Sequence, residues 1–535
     1  MKRIKINIVL LVIGIIMMSS CKKDYLNRPP LTGITTDNFY KSGSDLRLAT
    51  ATLYAQPWAN WNNFPLLGVG DIMSGNMLQP YNGDLVQLTT FSITPQNGTL
   101  TSAWQSFFNI VGHCNINLKA INTKMPDSVS VKSKAGAIGE IRFIRATSYL
   151  YLAQLWGAVP IIEDNDKLIA NPLVPRHKLE DVYKFIINDL RYAVANLPKN
   201  DQPGRVTTWS AQGMLAKVYL TRAGLNQKGS RNQSDLDSAA YYAGNVCKTS
   251  GLSLLPNYYN LFRTQYNDNS ESLFAFQWAP GVPYGQGNSI QAQFAPSGSL
   301  VTGGGGWGGA IGPTIDLANQ YTTQDSIRRK ATFMLTGDKY PELNAAGGGY
   351  TATGVNVKKH VVGTAADNNS PTMDLWSSIE HNAVLRLADV YLIYAEALLG
   401  NNASTTNADA LSYFNQVRSR AGVDVVTQLT PDIIMKERRI ELAFEGQYWF
   451  DLVRLSYYDP NKAISIISKQ ITPTKDAVPY IPRSQFSYDP ATGVKTASAN
   501  SLIITPPSVN TFTLPIPANE QTADPKLLEA PVPYY

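Results

Sequence analysis

Cysteine is almost absent from this chain, with three residues in 535. Cys21 borders an N-terminal apolar run, which leaves Cys114 and Cys247 for everything that follows. Two cysteines can pair in an oxidising compartment, but they cannot build the framework of a disulfide-dense secreted domain. Neither lies in a CxxC, and His113, His177, His360 and His381 show no ligand spacing, so no metal or cofactor is expected. Charge of one sign is also lacking. Residues 1–20 hold three basic and no acidic residues; without them 43 Lys and Arg face 40 Asp and Glu, a net +3. That balance leaves no electrostatic footprint for nucleic acid. There is no Gly-rich loop carrying Lys and Ser/Thr for phosphate, no Gly-x-Ser-x-Gly elbow and no His-Glu-x-x-His. The commonest nucleotide and hydrolase chemistries therefore have no motif here.

The single long apolar run is N-terminal. Lys2, Arg3 and Lys5 precede Ile6–Met18, which is apolar except for Asn7 and Gly14. It is shorter than the roughly 20 residues of a membrane span. Small residues and a cysteine follow at once, so residues 1–20 read as a secretory signal peptide. Met18-Ser19-Ser20-Cys21 resembles a bacterial lipobox, which makes Cys21 the expected acylated (palmitate-bearing) first residue of the mature chain. Each buried methylene contributes about 0.8 kcal/mol, so several acyl chains hold a protein on a membrane without a span. Residues 21–36, interrupted by Pro29 and Pro30, read as an extended tether, and 37–535 as the folded domain.

Within that domain the apolar residues fall at helical spacing. Ile141, Ile144, Ser148, Tyr151, Leu152 and Leu155 share one face, ended by Gly157 and Pro160. Val182, Ile186, Leu190, Val194 and Leu197 form another stripe, stopped by Pro198. Ser210 can cap a helix through Tyr219, and Thr430-Pro431-Asp432 opens one expected to reach about Leu455. There is an internal echo: Leu215-Ala216-Lys217-Val218-Tyr219-Leu220 matches Leu387-Ala388-Asp389-Val390-Tyr391-Leu392. Each is followed by a second helical pattern, Ala239/Ala243/Val246 and Ala410/Phe414/Val417. The Tyr-to-Ala gap is 20 residues in one copy and 19 in the other. This resembles tetratricopeptide pairs with a lengthened loop. The expected fold is mainly α: tetratricopeptide-like helix pairs forming a scaffold with a loop-rich ligand-binding face, the long loops lying at 60–98, 280–312 and 337–371.

Several segments together resemble the SusD/RagB nutrient-uptake lipoproteins of Bacteroidetes. They are Glu140-Ile141-Arg142-Phe143-Ile144-Arg145-Ala146 with its Gly157-Ala158-Val159-Pro160 exit, and Leu385-Arg386-Leu387-Ala388-Asp389 through Ala397. Asn415-Gln416-Val417-Arg418, Glu437-Arg438-Arg439-Ile440-Glu441 through Arg454, and Leu514-Pro515-Ile516-Pro517 follow in order. The chain departs from the family's Asn-Pro-Gly-Tyr-like tail in ending Pro531-Val532-Pro533-Tyr534-Tyr535. The resemblance implies a lipid-anchored, surface-exposed outer-membrane protein. Such a protein binds a glycan or other nutrient oligomer and delivers it to a TonB-dependent, SusC-like barrel.

Two features bear on chemistry. Glu437, Glu441 and Glu445 stand four apart on one helix, and paired carboxylates can hydrolyse glycosides. A surface glycoside hydrolase is therefore a rival reading, and a helical adaptor that binds only protein or peptide is another. A single helix face rarely flanks a sugar, and Arg438, Arg439 and Arg454 stand among the three acids, so an ion-pair network joining helices is the expectation. No catalytic residue is assigned. For sugar binding, aromatic faces and a polar rim are required. Trp307, flanked by glycines, is the leading candidate, as a stacking platform or as a plug beneath its loop; Tyr284, Tyr81, Asn76 and Trp61 are the other candidates. Trp104, Trp156, Trp209 and Trp449 fall in helical patterns and belong to the core.

Overall fold

The computed structural model describes residues 39–279, 287–309, 311–470, 483–498 and 502–535. Seven helices make the scaffold, after α1 (Gly43–Ala51) and α2 (Gly83–Thr90): α3 (Gly98–Lys124), α4 (Val131–Trp156), α5 (Leu179–Asn196), α6 (Thr208–Arg222), α7 (Gln233–Thr249), α8 (Leu387–Leu399) and α9 (Ala408–Arg420). Each of the seven packs on the next in sequence, and α6 also meets α8. Their starts are chemically marked. Asn97, Ser130, Asn232 and Asn407 each accept a backbone N–H of the first turn of α3, α4, α7 and α9. Thr207 and Ser210 form a capping box at α6, so Ser210 is the third helical residue and the cap stands three earlier.

Both helices of each echoed pair are present, α6 with α7 and α8 with α9. The small residues that make the echo, Ala239, Ala243 and Ala410, are fully buried with Val246, Phe414 and Val417. Between the pairs in sequence stands the longest of five two-stranded antiparallel ribbons among the described residues, β1 (Ser272–Phe276) on β2 (Asn382–Arg386), with Phe276 opposite Asn382. β2 leads directly into α8. One apolar core runs through α1 to α9 and on to Leu527. Cys114 in α3 and Cys247 in α7 are both free thiols. Among the described residues no helix is long and apolar enough to cross a membrane.

The structure corrects two expectations. The helix opening at Thr430 stops early: α10 is Pro431–Glu441, and α11 (Tyr448–Ser456) begins anew, followed by α12 (Pro460–Lys469). Phe444 and Gly446, at φ +65° and +69°, turn the chain between α10 and α11. The buried Asp71 carboxylate holds that turn, accepting the Phe444 N–H at 3.0 Å and the Gly446 N–H at 2.9 Å. Backbone meets backbone there: a Cβ on Gly70 would lie 2.4 Å from Gly446 Cα. Residues 60–98 are likewise no open loop. They contain a π-helix, Leu66–Ile72, as well as α2, and Leu67 to Leu78 are buried.

Candidate functional site

Residues Ile290–Phe294 form a short, wholly buried helix. The chain returns over it, and Trp307 N–H donates to Ala292 O at 2.9 Å while Gly308 N–H donates to Ala295 O at 3.1 Å. Glycine is required there, since a Cβ on Gly308 would sit 1.9 Å from Phe294 O. With its backbone pinned inward, the Trp307 side chain stays 49% exposed. A second loop supplies its neighbour. Asp374 Oδ1 accepts the Trp376 N–H at 2.8 Å. Ser378 and Asn288 exchange two backbone hydrogen bonds of 2.8 and 2.9 Å. The half-buried Trp376 ring lies against Trp307, with centroids 4.9 Å apart and planes 27° from parallel. Offset stacking of this kind satisfies the ring quadrupoles and stiffens both side chains. Each indole gives one face to the other, so Trp307 presents a single outer face.

The remaining candidates separate. Tyr81 is 80% exposed. It follows Met77–Leu78, which pair with Gly312–Pro313 just beyond the Trp307 loop. Tyr284 and Cys21 lie outside the described residues. Trp61 and Asn76 are fully buried, which corrects the expectation of an accessible contact at either. Trp61 packs between Phe107 of α3 and Tyr151 of α4, with centroids 4.8 and 5.0 Å away. Asn76 donates to Asp71 at 2.9 Å and accepts from Arg439 at 2.9 Å, locking the turn after the π-helix. Both stand in a stretch whose Gly, Asn and Pro content resembles a loop; α3 and α4 cover Trp61, and the turn after the π-helix encloses Asn76, neither of which that composition announces. Trp104, Trp156, Trp209 and Trp449 are buried as expected. Trp376 is legible in the sequence as an aromatic in a loop-like stretch, but its pairing with Trp307 is not, and neither are the buried polar residues that tie the two loops together.

The acidic helix resolves into a buried charge lattice. Glu437 meets Arg328 at 2.5 Å and Arg418 at 2.6 Å. Glu441 meets Arg386 at 2.7 Å, Arg328 at 3.2 Å and also Arg420. Glu445 meets Arg386 at 2.7 Å and Lys359 at 2.9 Å. Further along, Arg438 joins Asp389 to Asp451, and Arg454 joins Asp451 to Glu396. Burial alone would raise the Glu441 carboxyl, but Arg420, Arg386 and Arg328 outweigh it and hold its pKa down at about 2. A general acid needs the opposite shift. These carboxylates are spent on cations; Glu437 and Glu441 lie on α10, and Glu445, in the turn beyond it, borders only a cavity of about 30 Å³, so the three acids are structural.

Comparison with known proteins identifies the family. A family model described as SusD family matches residues 330–535, and one described as starch-binding associating with outer membrane matches residues 37–220. A SusD-like protein of Bacteroides ovatus is 37% identical over 530 residues, 97% of this chain and 96% of its own length. The chain belongs to the SusD family. A second SusD-like protein, from Formosa agariphila, is 27% identical across 85% of this chain and 91% of its own. A solved structure containing a xylogluco-oligosaccharide superposes with a TM-score of 0.82 at 36% identity, covering 92% of this chain and 99% of that one. A laminarin-binding SusD-like protein shares the fold, with a TM-score of 0.68 at 23% identity over 93% of this chain and 100% of that one. SusD-family proteins are non-enzymatic glycan binders of the outer-membrane surface, and this chain is one of them.

Proposed function

We propose that this chain is a lipid-anchored capture protein that stacks a sugar ring of its glycan on the outer face of Trp307 and passes the ligand to a TonB-dependent, SusC-like barrel. The observation that carries the reading is the half-exposed Trp307 ring, braced from behind by Trp376. A pyranose presents a flat patch of C–H groups, and a fixed indole face meets it without first losing rotamer freedom. Tyr81 and Tyr284 are secondary contacts in this reading. Tetratricopeptide-like pairs α6–α7 and α8–α9 belong to the scaffold, and loops 280–312 and 337–371, with the Trp376 turn that follows, form the ligand face. Cys21 supplies the anchor and residues 22–36 the tether. The relative solved with a xylogluco-oligosaccharide makes that class the first ligand to test. Ring stacking contributes on the order of 1–3 kcal/mol, so Trp307→Ala weakens xylogluco-oligosaccharide binding about tenfold or more by calorimetric titration. Its melting temperature stays within the small range of a surface substitution. Unchanged affinity with a large loss of stability identifies Trp307 as a plug and refutes the site.

A further inference from the structure

A buried polar cluster ties together the segments that carry the two tryptophans. Asn288, whose backbone pins the Trp376 loop through Ser378, donates from its side chain to Glu380 O at 2.9 Å and to Asn382 Oδ1 at 2.7 Å. Asn382 Oδ1 also receives Asn62 at 3.0 Å and Trp278 Nε1 at 3.2 Å. At the centre is His360. Its Nε2 faces Phe444 O at 2.8 Å, and its Nδ1 faces Glu380 Oε1 at 2.9 Å and Asn382 Nδ2 at 3.2 Å. Its ring stacks on Phe294, centroids 5.9 Å apart, in the short helix that carries the Trp307 loop. His360 thus touches the support of both tryptophans. It does so from a left-handed backbone conformation, φ +75°, that a non-glycine residue adopts only at a cost and that concentrates at functional positions.

Proton count makes this contact conditional. The Phe444 carbonyl can only accept, so Nε2 carries a hydrogen. The 2.9 Å contact between Nδ1 and Glu380 is a hydrogen bond only while one more proton lies between them. If that proton leaves, the Nδ1 lone pair accepts from Asn382 Nδ2 at 3.2 Å, and the buried Glu380 carboxylate loses its donor. Oε2 of Glu380 already lacks a hydrogen-bond partner, so the anion keeps only the more distant charge of the buried Lys358. We infer that His360 and Glu380 are positioning residues for the glycan site, whose shared proton holds the Trp376 and Trp307 loops in stacking register. The inference rests on the Trp307 reading above.

The surrounding charges set the direction. Lys359 adjoins His360 in sequence and is paired with Glu445, which also binds Arg386. Asp268, paired with His381, and Glu271, paired with Arg386, line the same cavity of about 30 Å³, room for a water molecule. Lys358 is buried nearby, which pushes its ammonium down to about 8. For His360, burial lowers the pKa, but Glu380 and the Phe444 carbonyl outweigh it and hold the imidazole above its ordinary 6.5. The shared proton is therefore held to higher pH than on a free imidazole, and it is lost as pH rises through the folded value.

The test follows two signals in the full chain between about pH 6 and about pH 9. One is affinity for a xylogluco-oligosaccharide; the other is the exciton-coupled circular dichroism of the stacked indole pair, assigned by its loss in Trp376→Phe. Both fall several-fold on the alkaline side in the wild type. In His360→Gln and Glu380→Gln both are low and flat, whereas Lys358→Met keeps the wild-type slope. A flat wild-type dichroism profile overturns the inference, as does a slope that persists in folded His360→Gln or disappears in Lys358→Met. If the dichroism titrates as described but no oligosaccharide binds at any pH, the glycan reading of Trp307 fails while the positioning device stands.

Discussion

Replacing Glu441 with Gln keeps the shape of a fully buried side chain and removes its charge. In the folded protein that charge neighbours Arg420, Arg386 and Arg328, which hold the carboxyl at about 2 against an ordinary 4.5. A gap of this size is worth about 3 kcal/mol of preference for the ionised state in the fold. Breaking a buried pair from one side costs about 3–5 kcal/mol by mutational precedent, so the two routes agree. Spread over the unfolding entropy of a chain this long, the loss lowers the melting temperature by about 3 °C at neutral pH. The sign with pH is fixed. A carboxyl with a depressed folded pKa adds stability that is complete above about 4.5 and is lost as pH falls towards about 2. The gap between wild type and Glu441→Gln therefore closes across that acid window, because the wild-type residue becomes neutral too. Calorimetric melts of both proteins from neutral to acid pH measure it, with glycan titration as the control that stays constant. Equal melting at neutral pH, or a gap that survives acidification, refutes the account of this residue as a charge held by arginines.

Other perturbations reach different parts of the molecule. Trp61→Ala removes a ring packed between α3 and α4 and costs about 3–5 kcal/mol of stability in denaturant titration, where a ligand contact would have cost affinity alone. Cys21→Ala moves the protein from the outer-membrane fraction to the soluble fraction on cell fractionation in a strain without the barrel partner; retention would count against acylation at that residue. Cys114, fully buried with its thiol pushed up by desolvation, resists thiol-modifying reagents in the native protein and reacts after denaturation, as mass spectrometry of the labelled chain reports.

How much of this was legible in the sequence depends on range. Helices announce themselves locally through stripes and caps, so α4, α5 and the two echoed pairs were readable from residues a few positions apart. The break between α10 and α11 was not, because what imposes it is Asp71, more than 370 positions away in sequence. Glu437 and Glu441 looked alike as letters, and only the arginines brought in from α9, β2 and the Arg328 segment decide what they do. Trp61 and Trp307 show the same limit from the other side. Both stand among small and polar residues; one is swallowed by the junction of two long helices and the other is held out by a loop that cannot approach closer. Composition identifies where irregular chain will lie, but exposure depends on what packs against it.

The charge lattice also has a bearing on how the molecule comes into being. Lys217 and Arg231 belong to the α6–α7 region, yet the acids that neutralise them, Asp389 and Glu396, lie on α8. Those acids in turn wait for Arg438 and Arg454. A nascent chain emerging amino end first must therefore hold Lys217 and Arg231 hydrated until their acids emerge, 172 and 165 residues later. Neither the segment before the ribbon nor the segment after it can complete its own interior alone, and the circuit closes in one late event.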